Sequence, residues 1–146
     1  MRPRDAFEIC AEVYVYARGV EMRQIGSSHR EVESKYLWRP DVLPRPLDYC
    51  ADFEVAGRRA LREPRLRGRL RLFLFYYVAC LEYRAVLARL DISELTFSLW
   101  CDDIRDLVGR ELLRAHIFPT GSYFKCARLG LHAAGHAREK PRQSRP

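Results

Sequence analysis

The chain has 146 residues, 48% of them hydrophobic and 31% charged, which excludes a disordered polypeptide and suffices to bury a core without disulfides or metal. Its longest apolar run, Leu72 to Leu81, is ten residues, half of the roughly 20 that a membrane span needs. The net charge of +7 comes from 26 Lys+Arg against 19 Asp+Glu and leans towards polyanionic partners.

Residues 5–21 are expected to form the first helix. Phe7, Cys10, Val13, Tyr14, Ala17 and Val20 recur at helical spacing, and Asp5 is placed to cap the start. Gly26-Ser27-Ser28 breaks the pattern, and a short helix from about His29 to Leu37 follows, with Ser28 as its cap. Pro40, Pro44 and Pro46 then predict an extended connector over 38–47, because proline blocks helix continuation and restrains its predecessor. Residues 48–62 read as helix, capped by Asp48, with Tyr49, Phe53, Ala56 and Ala60 on one face and Pro64 as terminator.

Residues 66–81 are the next element. Periodicity alone allows a buried strand from Leu72 to Ala79, but no second strand exists to pair with it, so helix is expected. A short helix over 82–90 and a long one from Ser93 to about Arg114 complete the set. The long helix has Trp100, Ile104, Leu107, Val108 and Leu112 as its inward stripe. Pro119-Thr120-Gly121 closes the folded part. Ser122 to Ala137 adds at most a weak helix, and Arg138 to Pro146 should be disordered. The reading is therefore all-α: one helical domain over 1–121 and a basic, partly disordered tail over 122–146.

The charge is unevenly distributed. Residues 58–71 carry seven Arg and one Glu, and residues 125–146 carry six Lys/Arg and one Glu, so the remainder holds 13 basic and 17 acidic residues. A mildly acidic body thus bears two basic segments. Of the basic residues 23 are Arg, an enrichment that genome composition alone can produce.

One stretch carries a mechanism. In Leu90-Asp91-Ile92-Ser93-Glu94-Leu95-Thr96-Phe97 a short helix is expected to end on a buried Leu90, a tight turn to bury Ile92, and a capping Ser93 to open a second helix. This is the pattern of a helix-turn-helix, whose second helix offers its first turns to a major groove.

On those residues, the stretch from about Leu66 to Leu113 resembles region 4 of bacterial sigma factors. It is also similar to the modules of phage late-transcription regulators. The shared pattern is leucine, turn, Ile-Ser-x-x-Thr, aromatic, then a long helix with Ile104, Leu107 and Leu112. The first half has no aromatic-basic promoter-melting stretch, so the resemblance is to one module rather than to a whole sigma factor. It implies transcription control on double-stranded DNA, with RNA polymerase or another transcription protein as partner.

The chain departs from the family at several positions. Asp91 stands at a turn usually occupied by glycine, Leu87 where a small residue is usual, and Ser98 and Trp100 where the family places Lys or Arg. Residues 83–112 hold four Arg against six Asp/Glu, so the module itself is acidic and by itself a poor match for DNA.

Three readings therefore stand. In the first, Arg65, Arg67, Arg69 and Arg71, with Arg84 and the basic tail, supply the phosphate contacts, while Ser93, Glu94, Thr96 and Ser98 read base edges. In the second, the helix-turn-helix is a scaffold for a protein partner. In the third, it is a plain packing turn.

Nothing else in the sequence competes with these readings. The nucleotide-binding, hydrolase and metalloprotease motifs are missing, so no enzyme and no cofactor are expected. The five cysteines (Cys10, Cys50, Cys80, Cys101, Cys126) contain no C-x-x-C pair. They read as reduced, mostly buried thiols, and with the charged N-terminus they suggest the cytoplasm. Cys126, His132 and His136 offer three ligands on a glycine-weakened helix, too few for an expected metal site. Tyr14, Tyr16, Tyr76, Tyr77, Phe73 and Phe75 are expected in the core rather than as base-stacking platforms.

Overall fold

The computed structural model describes residues 1–26 and 46–123. Among these the architecture is all-helical, as the patterning predicts: α1 (Pro3–Gly26), α2 (Pro46–Ala60), α3 (Arg67–Leu72), α4 (Tyr83–Leu90) and α5 (Glu94–Arg114). The expected helix at His29 to Leu37, most of the connector and the basic tail lie outside the described residues.

α5 is the central element and packs against α1, α2 and α3. Its buried stripe is Phe97, Cys101, Ile104, Val108 and Leu112, the i, i+4, i+7 spacing of one helix face. Ala6, Phe7, Cys10, Val13, Tyr14 and Ala17 of α1 close over it, and α2 adds Tyr49, Cys50, Phe53 and Ala56. Phe53 is the aromatic hub: Tyr14 stacks on it at 4.7 Å and Phe73 tilts against it at 5.6 Å. Each such ring taken out of water contributes about 1.5–3 kcal/mol. Close approaches in the core depend on glycine. At Gly109 a side chain would strike the Pro3 carbonyl, and at Gly57 it would strike the Phe73 ring.

Several boundaries differ from the sequence expectation. α1 starts at Pro3, because proline suits a first helical turn. Asp5 therefore lies inside that turn, where it accepts from Arg2 at 3.0 Å instead of capping. For the same reason Pro46 opens α2 instead of extending the connector, and Asp48 is inside the helix. α2 has already ended at Ala60, and Pro64 begins a short 3-10 turn, Pro64–Leu66.

The segment expected as one helix over 66–81 is helical in two registers. α3 passes into a π-helical turn, Phe73–Val78, which the left-handed Cys80 (φ 55°) terminates. The widened turn is closed by Ala79 N–H on the Leu74 carbonyl at 2.8 Å and Leu81 N–H on the Phe75 carbonyl at 2.9 Å. Beyond α5, Thr120–Ser122 forms a 3-10 turn.

Cys10, Cys50 and Cys101 are buried and Cys80 is exposed, while Cys126 lies outside the described residues. Burial pushes the Cys10 thiol up to about 12. Among the described residues, no helix is long and apolar enough to cross a membrane.

Candidate nucleic-acid interface

α4 ends because Asp91 adopts the left-handed conformation, φ 51° and ψ 53°. Aspartate tolerates this better than most residues, so the position usually held by glycine keeps its geometry. The Leu87 carbonyl accepts from the N–H groups of Asp91 and Ile92, the latter at 3.2 Å. Leu90 and Ile92 pack against the core but are half-buried, not enclosed as expected, because the turn lies at the surface.

Ser93 is extended and caps α5. Its Oγ accepts from Thr96 N–H at 3.1 Å, and its hydroxyl donates to Thr96 Oγ1 at 3.0 Å. Behind the turn, Tyr83 of α4 and Tyr76 of the π-turn meet Phe97 edge-on at 4.8 and 5.1 Å, fixing α4 and α3 against the first turn of α5.

The start of α5 is thereby held outward. Ser93, Glu94 and Ser98 are exposed, whereas Thr96 is half-buried with its hydroxyl engaged by Ser93. Trp100, aligned with an outward family position, points inward over Gly68, where no Cβ stands in its way. The outward crest instead carries Leu95 and Leu99, which are 69% and 55% exposed. The sequence reading missed them. Their signal was the i, i+4 spacing opposite the Phe97–Cys101–Ile104 stripe.

The basic run splits in several directions. Arg65 donates to Glu63 at 2.6 Å. Arg69 folds onto α5, where it donates to Asp103 at 2.7 Å and stands over the Trp100 ring at 5.4 Å. Two of the expected phosphate ligands are therefore engaged internally. Arg67 and Arg71 of α3 and Arg84 and Arg89 of α4 are exposed and make no ion pair with any described residue. Arg71 and Arg89 each stand 5.9 Å from the Phe75 ring centre. Arg58 near the end of α2 and Arg62 just beyond it are also exposed without an acidic partner among the described residues. Exposed Arg110 on α5 forms no ion pair with a described residue but lies close enough to Asp106 to lower its carboxyl.

The acids of α5 show the reverse. Arg4 of α1 forms a two-point bond with Asp106 at 2.9 and 3.0 Å and reaches Asp102 at 3.7 Å. Arg105 also pairs with Asp102, at 3.3 Å. Glu111 accepts from Arg114 at 2.9 Å and from Arg59 at 3.2 Å. The hydrogen bond from Arg4 holds the Asp106 carboxyl below its ordinary range, and Arg114 and Arg59 do the same for Glu111. Of the six acids in 83–112, Asp102, Asp103, Asp106 and Glu111 are matched by arginine, leaving Asp91 and Glu94 at the turn. The acidity of the module is largely neutralised within the fold.

Elsewhere, a groove of about 500 Å³ runs between α1 and α5 and is walled by Arg4, Asp5, Arg105 and Asp106, all of them paired. Cys126, His132 and His136 lie outside the described residues, and no group of three potential metal ligands occurs among those described. Comparison of the chain with models of protein families, with curated proteins and with solved structures gave no match.

Proposed function

We propose that the chain is a transcription regulator that binds duplex DNA through the α4–turn–α5 unit, acting with RNA polymerase or another transcription protein. One observation carries the reading. Exposed arginines without acidic partners, Arg67, Arg71, Arg84 and Arg89, lie on the two elements preceding the capped turn, while Asp102, Asp103, Asp106 and Glu111 of α5 are matched internally. Arginines of this kind neutralise phosphates and set the register, and the outward first turns of α5 then face the major groove. Ser93, Glu94 and Ser98 are the polar groups offered to base edges, and Leu95 and Leu99 suit thymine methyl groups. Thr96 acts through Ser93 by holding the cap.

The test is fluorescence anisotropy with a labelled pool of random duplexes, followed by selection. Binding should fall steeply with salt, and Ser98→Ala should flatten the selected sequence preference while leaving salt dependence intact. Absence of duplex binding at low salt overturns the reading.

A second reading is favoured by Leu95 and Leu99. An exposed leucine pair beside Asp91 and Glu94 also suits a protein partner, and the chain would then serve as an adaptor. That reading predicts a complex that survives nuclease and is lost in Leu95→Ser with Leu99→Ser.

A further inference from the structure

The geometry points to a phosphate site at Arg71, Phe75 and Arg89, which we propose receives a backbone phosphodiester of the bound nucleic acid. The identity of the ligand rests on the duplex reading, but the site itself rests on its own geometry.

Two guanidiniums share one phenyl ring, each 5.9 Å from its centre, and neither meets a carboxylate of any described residue. The ring face attracts each cation, so two positive charges are gathered about one ring, and an anion docked beside it is drawn to both. Arg89 leaves the last turn of α4, where the negative end of the helix dipole favours a cation.

The juxtaposition is built by the chain path. The π-turn places the half-buried Phe75 just after α3, and the left-handed Cys80 follows it before the chain enters α4. The end of α4 is thereby returned to the same ring. Turns of this type occur often at functional sites. Arg67 lies one helical turn before Arg71 and is exposed, which extends the cationic strip along α3.

A guanidinium that rests on a ring keeps its N–H edge available for two-point bonding to an oxyanion. Attraction to the ring restricts the side chain, so less conformational freedom is lost when the anion arrives. Arg89 is also two residues from the turn at Asp91. A phosphate held there would lie beside the outward start of α5, the expected position for a contact that sets register.

The test uses the full chain and two probes, a labelled duplex and inorganic phosphate, with the variants Arg71→Gln, Arg89→Gln, Phe75→Leu and, as control, Arg110→Gln. Thermal melting confirms that each variant folds. Arg71→Gln and Arg89→Gln should each weaken duplex binding about tenfold and lower the salt slope by about one. Phe75→Leu should weaken binding by about threefold with the slope retained, because the cations remain but are no longer held. Arg110→Gln should change neither quantity. Inorganic phosphate should shift the Nε–H resonances of Arg71 and Arg89, but not that of Arg110. If the wild type binds duplex and both arginine variants keep its affinity and slope, the site is refuted and the duplex reading survives. If duplex does not bind but phosphate shifts both resonances, the duplex reading fails and the anion site stands. If neither probe responds, both are wrong.

Discussion

On α5, arginines approach from α1, α2 and α3 and meet carboxylates: Arg4 with Asp106 and Asp102, Arg59 with Glu111, Arg69 with Asp103. On the neighbouring surface of α3 and α4, Arg67, Arg71, Arg84 and Arg89 have no such partners among the described residues. The same residue type therefore performs two jobs a few residues apart. Arg69 ties one helix to another, while Arg67 and Arg71, two positions to either side, are exposed and meet no carboxylate of any described residue. Arginine density along the sequence does not separate these two groups; which guanidiniums remain unmatched after folding does.

Substitutions can break this contrast at graded cost. The largest effect is expected where α1 meets α5. Gly109→Val would drive a side chain into the Pro3 carbonyl and part the helices that bring Arg4 to Asp106. Urea unfolding should show a loss of about 3 kcal/mol, the upper part of the usual overpacking range.

At the turn, Ser93→Ala removes the cap of α5 and should cost about 1 kcal/mol in the same assay. Arg69→Ala should also cost about 1 kcal/mol, since it loses both the Trp100 face and Asp103. By contrast, Arg84→Gln should stay within about 0.5 kcal/mol of wild type, as a solvated side chain does. If Arg69→Ala and Arg84→Gln prove equal in stability, the division into structural and free arginines is wrong.

The smallest effect is in acid. Asp106 and Glu111 have carboxyls lowered by arginine in the folded state. Their stabilisation is present above the ordinary carboxylate range and is lost as pH falls through it, between about pH 5 and about pH 3. Arg4→Gln deletes the share of Asp106, so its melting temperature should fall less than that of wild type across the same interval.

Much of the helical outline was legible from sequence, because apolar spacing and local caps act over a few residues. The Ser93 cap and the left-handed Asp91 were both readable from their neighbours. Prolines at first helical turns misled the boundaries, since Pro46 fits both a connector and a helix start. The pairing of charge was not legible. Arg4 and Asp106 are separated by 102 positions, and Arg69 and Asp103 by 34. No local rule says which arginine will be consumed. Trp100 was legible as part of the inward stripe, but the space it fills over Gly68, in another helix, was not. The shared ring of Arg71 and Arg89 depends on a π-turn that periodicity does not announce.

The central claim is that the unmatched arginines of α3 and α4 are the cations that meet nucleic acid. Its most direct measurement is the salt slope of duplex binding for a variant with Arg67, Arg71, Arg84 and Arg89 all replaced by glutamine. The account predicts an unchanged melting temperature and a slope reduced by about three to four, close to one counterion per arginine. A variant that melts like wild type and keeps the wild-type slope would contradict it.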